Sequence, residues 1–315
     1  MRTEDNVFHV DGAPTRQRDH SVLETSVLKI SGRTSEQVQD SLAIEEPLEI
    51  QLGYGPAGSR QTKSISVTMR TPGNDFELAA GFLMTEGVVQ DANDIEQVPP
   101  AAVHPFGEAN AALTASSRQN TIRVELAPDV LVSVANLQRN FYTTSSCGVC
   151  GKASLLALQT VCPPRAKNSF EIDAQLLCNL PGRLREAQRM FDRTGGLHGA
   201  GLFDSTGQLL AVREDVGRHN AVDKIVGAEF LADRTPLRNN LLLLSGRASF
   251  ELLQKALMAG ISMVAAVGAP SSLAVQVARE FDIILVGFLR EDHFNVYHGA
   301  RHILGYTPTS MGVDE

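Results

Sequence analysis

Three short runs of nearly unbroken apolar residues constrain this chain most: Leu241–Leu244, Met263–Val267 and Ile283–Phe288, separated by the helix-period stretches Ala248–Ala259 and Ser271–Phe281. A strand with one face in water alternates polar and apolar residues, whereas a strand covered on both faces does not. The intervening helices then serve as the crossovers that parallel strands require. This order predicts an α/β fold whose larger unit is a three-layer αβα sandwich. Upstream, Gly201–Phe203 and Gln208–Arg213 read as strands joined by a turn at Asp204–Gly207. Pro181–Phe191 reads as a helix that begins on proline and ends near Gly195.

The first half has a different texture. Leu48, Ile50 and Leu52, then Ile65, Val67 and Met69, alternate around a turn at Gly53–Gly58 and predict a hairpin. Asn74 stands where an N-cap belongs, ahead of Phe76, Ala79, Ala80, Leu83 and Met84, and Gly87 closes a short amphipathic helix. Asp91–Asn120 is an irregular excursion before a strand at Thr121–Leu126, and residues 1–40 read as a polar tail with one strand around Val27–Ile30. The expected division is a tail over 1–40, a smaller α+β unit over 41–143 and the αβα unit over 144–315.

Composition enters by exclusion. With 43% hydrophobic and 20% charged residues over 315 positions, the chain is globular rather than disordered. Its 28 basic against 36 acidic residues give a net charge of -8, which disfavours nucleic acid as a general partner. No apolar run approaches the ~18 residues of a membrane span, and Met1–His20 lacks the apolar core of a secretory signal, so a cytoplasmic location is expected. Four cysteines are too few for a disulfide scaffold, so a close pair points to redox, metal or sulfur chemistry.

Such a pair exists in Ser146-Cys147-Gly148-Val149-Cys150-Gly151, just before the helix-like run Ala153–Leu158. A helix start favours thiolate, the nucleophilic form, and the glycines leave the thiols open to a large partner. Three alternatives stand beside a sulfur-handling role. A structural zinc site needs two more ligands, and Cys162 and Cys178 are single cysteines. A zinc deaminase carries His-x-Glu and a proline directly before the first cysteine, both lacking here. A thioredoxin-like dithiol belongs near the start of a small domain rather than in mid-chain.

Further polar clusters follow apolar strands, where α/β proteins place their sites. Arg218 and His219 lie in Arg213–Lys224, against the alternative of a helix start with surface ion pairs such as Asp223 with Lys224. His198 sits among four glycines. Ser245, Gly246 and Arg247 offer N–H groups and a guanidinium to an anion, against simple capping by Ser249. Phe288, Leu289, Arg290, Glu291, Asp292 and His293 leave the last apolar strand. A shared pocket for a phosphate-bearing ligand accounts for the layout.

The ordered set FELAAGFLMTEG at 76–87, SCGVCG at 146–151, EDVGRHNAVDK at 214–224, SGRAS at 245–249 and VGFLR at 286–290 resembles the formate dehydrogenase accessory sulfurtransferases, the FdhD family. The resemblance implies a carrier that accepts sulfur from a cysteine desulfurase as a persulfide. It passes that sulfur to a molybdenum or tungsten bis-pterin guanine dinucleotide cofactor destined for formate dehydrogenase. By the same carry-over Cys147 bears the persulfide, Cys150 is an assisting or second sulfur-accepting thiol, and Phe288–His293 contacts the cofactor. His198, Arg218, His219, Ser245 and Arg247, with Arg290 of that loop, are the expected partners of the guanine nucleotide and its phosphates. The resemblance also implies a larger unit like the cytidine deaminase fold without its zinc signature, no structural metal, and a homodimer. The competing class is a non-enzymatic chaperone that holds cofactor or apoenzyme.

Overall fold

The computed structural model describes residues 21–96, 120–130, 158–159, 162 and 167–307. Thirteen described strands and six described α-helices build two main sheets and two small ones. The chain opens with β1 (Val22–Ser31) and β2 (Thr34–Ala43), an antiparallel ribbon in which Leu23 pairs with Leu42 and Val27 with Val38. Residues 22–40, expected as part of a tail, therefore lie mostly in regular strands. Leu23, Leu28 and Ile30 are exposed, so neither face of the ribbon imposes the alternation by which a half-buried strand is read.

The expected hairpin follows as β3 (Glu46–Tyr54) and β4 (Gln61–Arg70), with β5 (Thr121–Glu125) added parallel to β3. Between them α1 (Asp75–Thr85) carries Asp75 and Glu77 in its first turn, where the dipole favours acid. Asn74 takes the N-cap position with φ 57° but makes no side-chain cap bond. The helix is not one-sided. Glu77, Leu78, Ala79, Ala80, Gly81, Leu83 and Met84 are all buried, because α1 packs on α4 and α5 as well as on β5.

The αβα unit begins with β6 (Ile172–Asp173) and α2 (Ala174–Ala187). Asp173 caps α2 through the amides of Gln175 and Leu176, so the helix starts well before Pro181, which is an interior residue. Leu177, Leu180 and Leu184 hold that face in the core despite the bond the proline lacks. After α3 (Arg189–Thr194) come β7 (His198–Asp204), β8 (Leu209–Asp215), α4 (Arg218–Leu231), β9 (Asn240–Leu244) and α5 (Phe250–Met258). Then follow β10 (Met263–Ala266), α6 (Ser272–Glu280), β11 (Ile284–Gly287), β12 (Asn295–His298) and β13 (Ile303–Leu304). The six-stranded sheet runs β12-β11-β10-β9-β7-β8, with β9, β10 and β11 mutually parallel and β7 antiparallel to β9.

Alternate residues of the parallel strands enter two different cores. Leu242, Leu244, Val264, Ala266 and Leu285 meet α4, α5 and α6 on one face. Leu241, Leu243, Met263, Ala265, Ile284 and Val286 join the leucines of α2 on the other. Helices thus cover both faces of these strands in a mixed α/β fold, and after Asn240 at the start of β9 none of the three carries a polar residue.

The smaller sheet and α1 are bound to this unit by charge as well as by apolar packing. Arg213 Nε and Nη2 donate to Glu77 Oε2 and Oε1 at 2.6 and 2.8 Å, with both side chains about 1% exposed. Lys224 Nζ lies 2.7 Å from Asp215 Oδ2 and donates to the Thr71 carbonyl. Where α1 crosses α4, a Cβ added to either Gly81 or Gly227 would overlap main chain of the opposite helix.

Candidate functional site

Because β7 runs against β9, its first residue reaches the edge where β8, β9, β10 and β11 end. Ala200 pairs with Leu244, and two residues further His198 lies beside Gly246: a Cβ there would sit 3.4 Å from His198 Nδ1. The strand exits are stitched together by main-chain bonds beyond the strands themselves. Ser245 N donates to Gly199 O at 3.0 Å, while Gly199 N donates to Ser245 Oγ at 2.9 Å. Gly268 N donates to Gly246 O at 2.8 Å, and Phe288 N donates to Gly268 O at 3.1 Å. His198, Ser245, Arg247 and Phe288, far apart in sequence, thus share one hydrogen-bonded rim.

Arg218 and His219 open α4 directly after β8 and stand at the same rim, close enough to act on His198. Burial pushes His198 below the ordinary imidazole range, and the positive charges of Arg218 and His219 push it further down, against the opposing pull of Asp215. His198 is therefore the neutral, proton-accepting member of the cluster near neutral pH. Arg218 Nε, His219 Nε2 and Ser249 Oγ are sealed from solvent without a hydrogen-bond partner. Ser249 occupies the N-cap position of α5 but makes no cap bond, so capping does not account for it. Buried polar atoms of this kind are normally satisfied, and the three here mark capacity for an incoming acceptor or water.

The rest of the Arg213–Lys224 segment is spent on structure. Glu214 accepts from the amides of Met190 and Phe191 at the start of α3. Asp215 takes Lys224, Gly217 N and Asn220 Nδ2. Asp223 pairs with Lys255 at 2.9 Å rather than with Lys224, and all three side chains are buried. The surface pair considered from sequence is therefore two separate internal pairs.

The exit after β11 divides its residues. Phe288 is 40% exposed and holds φ 53°, a left-handed conformation rare for an aromatic residue. Leu289 is turned into the second core with no exposure. Arg290 Nη1 donates to the Val267 and Leu289 carbonyls at 2.6 and 2.9 Å, so part of its guanidinium braces the loop. Glu291, Asp292 and His293 are exposed at the tip, where His293 Nδ1 approaches Asp292 Oδ1 at 2.6 Å. Cys147 and Cys150 lie outside the described residues, and the described chain resumes at Leu158, which is buried in the first core.

One rim residue was not singled out from sequence. Glu251, in the first turn of α5, places Oε2 2.7 Å from His219 Nε2, a contact between ionisable groups that is not aligned as a hydrogen bond. An acid in a first turn is what any helix carries, so nothing in the sequence distinguishes it.

Both the sequence and the fold have counterparts in known proteins. Residues 43–304 match the model described as the FdhD/NarQ family. A protein named sulfur carrier protein FdhD from Streptomyces avermitilis is 50% identical over 271 residues, covering 84% of this chain and 89% of that one. Its namesake from Mycobacterium tuberculosis is 51% identical over 265 residues, covering 84% and 92%. One from Picrophilus torridus is 37% identical over 275 residues, covering 87% and 96%. The fold is also similar to a crystal structure from Desulfotalea psychrophila described as a formate dehydrogenase accessory protein, with a TM-score of 0.64, 22% identity, and coverage of 90% and 99%.

Proposed function

This chain belongs to the FdhD/NarQ family, and from that premise we propose that it is a sulfur carrier serving formate dehydrogenase. The observation that carries the reading is identity of about one half to proteins named sulfur carrier, across 84% of the chain. The segment Ser146–Gly151 supplies the two thiols such a carrier needs.

In the finer proposal, the Cys147 thiolate attacks the outer sulfur of a cysteine desulfurase persulfide. The S–S bond of the donor breaks, its thiolate leaves, and a persulfide forms on Cys147. Cys150 is the assisting thiol. The outer sulfur then passes to a molybdenum or tungsten bis-pterin guanine dinucleotide, which is substrate here rather than a resident group: the S–S bond of the persulfide breaks, the reduced metal of the substrate supplies the two electrons that take the sulfur to sulfide, and Cys147 leaves as thiolate.

The rim is proposed to hold the nucleotide end of that substrate. Arg218 has an unspent Nε and Arg247 is exposed, so each has a guanidinium to offer a phosphate. The exposed Phe288 ring supplies a face for the guanine. We extend the proposal to a cytidine deaminase-like αβα layering, a cytoplasmic location and a homodimer. Among the described residues no helix is long and apolar enough to cross a membrane.

Intact-protein mass spectrometry after incubation with a cysteine desulfurase and free cysteine tests the reading. The expected result is a reducible gain of about one sulfur mass in the wild type and Cys150→Ala that is lost in Cys147→Ala. No gain in the wild type would overturn the carrier reading in favour of a cofactor-holding chaperone.

A further inference from the structure

We propose that a cavity at the sheet edge opposite the rim is a second ligand site, and that it takes a small organic anion with a flat aromatic body.

Strands β9 and β10 run parallel, so the residues leading into them lie at the far edge from the rim, where both strands leave. Arg238 and Asn239 precede β9, and Gly260–Ser262 precede β10. Helices α1 and α5 bring their last turns to the same edge, through Met84 on one and Leu257 and Met258 on the other. These segments enclose a cavity of about 470 Å³, within the ~300–1,000 Å³ of ordinary small-molecule sites.

The frame of the cavity is tied before any ligand arrives. Leu237 N donates to Ala259 O at 2.9 Å, joining the two strand entries, and Ser262 Oγ donates to the Arg238 carbonyl. Asn168 Nδ2 donates to the Ser262 and Asp282 carbonyls, both at 2.9 Å, while its Oδ1 accepts from Phe170 N at 3.1 Å. Gly260 and Pro236 lie so close that a Cβ on the glycine would stand 2.6 Å from Pro236 Cβ. A wall fixed in this way has little ordering left to do on binding.

Floor and mouth differ in chemistry. Met84, Val89, Leu257 and Met258 are buried and apolar, and the two thioethers suit contact with an aromatic ring. Lys167 and Arg238, from separate parts of the chain, are exposed and supply the charge of the lining. Among the described residues no carboxylate lines the cavity, and neither cation has an ion-pair partner. The acid groups of the adjoining segments are already engaged: Asp282 by His298 and Arg301 at 3.2 and 2.9 Å, and Glu229 by Arg234 at 2.6 Å. In a chain of net charge -8, two uncommitted cations beside an apolar floor match a ligand that is apolar at one end and anionic at the other.

The test uses the full chain labelled with methyl-13C methionine, with 8-anilinonaphthalene-1-sulfonate as probe and N-phenyl-1-naphthylamine as its neutral counterpart. Met84→Leu and Met258→Leu assign the two methyl signals. The sulfonate is expected to shift both signals saturably with one dissociation constant, leaving the exposed Met69 of β4 unmoved. Arg238→Ala and Lys167→Ala, both at exposed positions, should each weaken the sulfonate about fivefold while the neutral amine stays within about twofold of wild type. The ligand-free methyl spectrum shows that each variant is folded. Absence of a saturable shift at Met84 and Met258 would overturn the proposal. So would equal losses for the two probes in the cation variants, or no loss for either, since the cations would then not be what the anion meets.

Discussion

Gly81 and Gly227 face one another at the crossing of α1 and α4, each filling the only space the other helix leaves: a Cβ on Gly81 would overlap the Asp223 carbonyl, and one on Gly227 the Glu77 carbonyl. Both obstacles are helical backbone, which cannot rotate aside as a side chain can. Gly227→Ala is therefore expected to destabilise the protein by about 3 kcal/mol or more, although alanine is the better helix former. Urea unfolding checks it, and a change under about 1 kcal/mol would mean that the crossing is looser than described.

The Arg213–Glu77 pair has its own expected signature. Glu77→Gln removes the carboxylate charge that meets this buried guanidinium through two bonds and should cost about 3–5 kcal/mol. Combining Arg213→Met with Glu77→Leu should recover much of that loss, since both charges then leave together. A double variant less stable than the single one would contradict this account.

Acid should act on His198. Its folded pKa lies below the ordinary 6.5, chiefly through burial and then through Arg218 and His219. The unfolded chain therefore binds this proton more readily than the folded one. The associated stability is fully present above about pH 6.5 and is lost as pH falls through the window beneath it. His198→Gln lacks the titration, so its unfolding midpoint should gain on the wild type as pH drops below 6.5 and run parallel above 7.5. Parallel curves throughout would remove His198 from the acid response.

Two substitutions separate ring from charge at the rim. Phe288→Ala should weaken guanosine diphosphate by about tenfold with little change for inorganic pyrophosphate, because stacking concerns the base. Arg218→Ala should weaken both by a similar factor. Isothermal titration with the two ligands gives the comparison, and equal losses for both ligands in both variants would dissolve the division of roles.

What could be read before the fold was known follows from where residues are buried. Leu241–Leu244, Met263–Ala266 and Ile284–Gly287 announce themselves because both sheet faces are covered, and the polar segments after them are legible as strand exits. The β1–β2 ribbon carries no such signal, since its apolar residues stand in solvent. Helix α1 reads as one-sided because Glu77, Gly81 and Thr85, off the apolar face, are of types that do not announce burial, yet all three are buried. In Glu214–Lys224 the charges were visible but not their partners: Asp215, Asp223 and Lys224 are desolvated by α1 and its flanking segments, a contact between distant parts of the chain. Glu251 became distinct only when α5 was set beside α4.

The bonds that join Gly199, Ser245, Gly246, Gly268 and Phe288 belong almost entirely to the main chain. They are indifferent to the side chains projecting from the loops between them. Exchange at Arg247 or along Glu291–His293 can then retune what the rim accepts while the frame is inherited unaltered. Mutational freedom and architectural permanence are thereby assigned to different atoms of the same few residues. The crossing of Gly81 and Gly227 admits no such separation, and selection there should tolerate almost nothing.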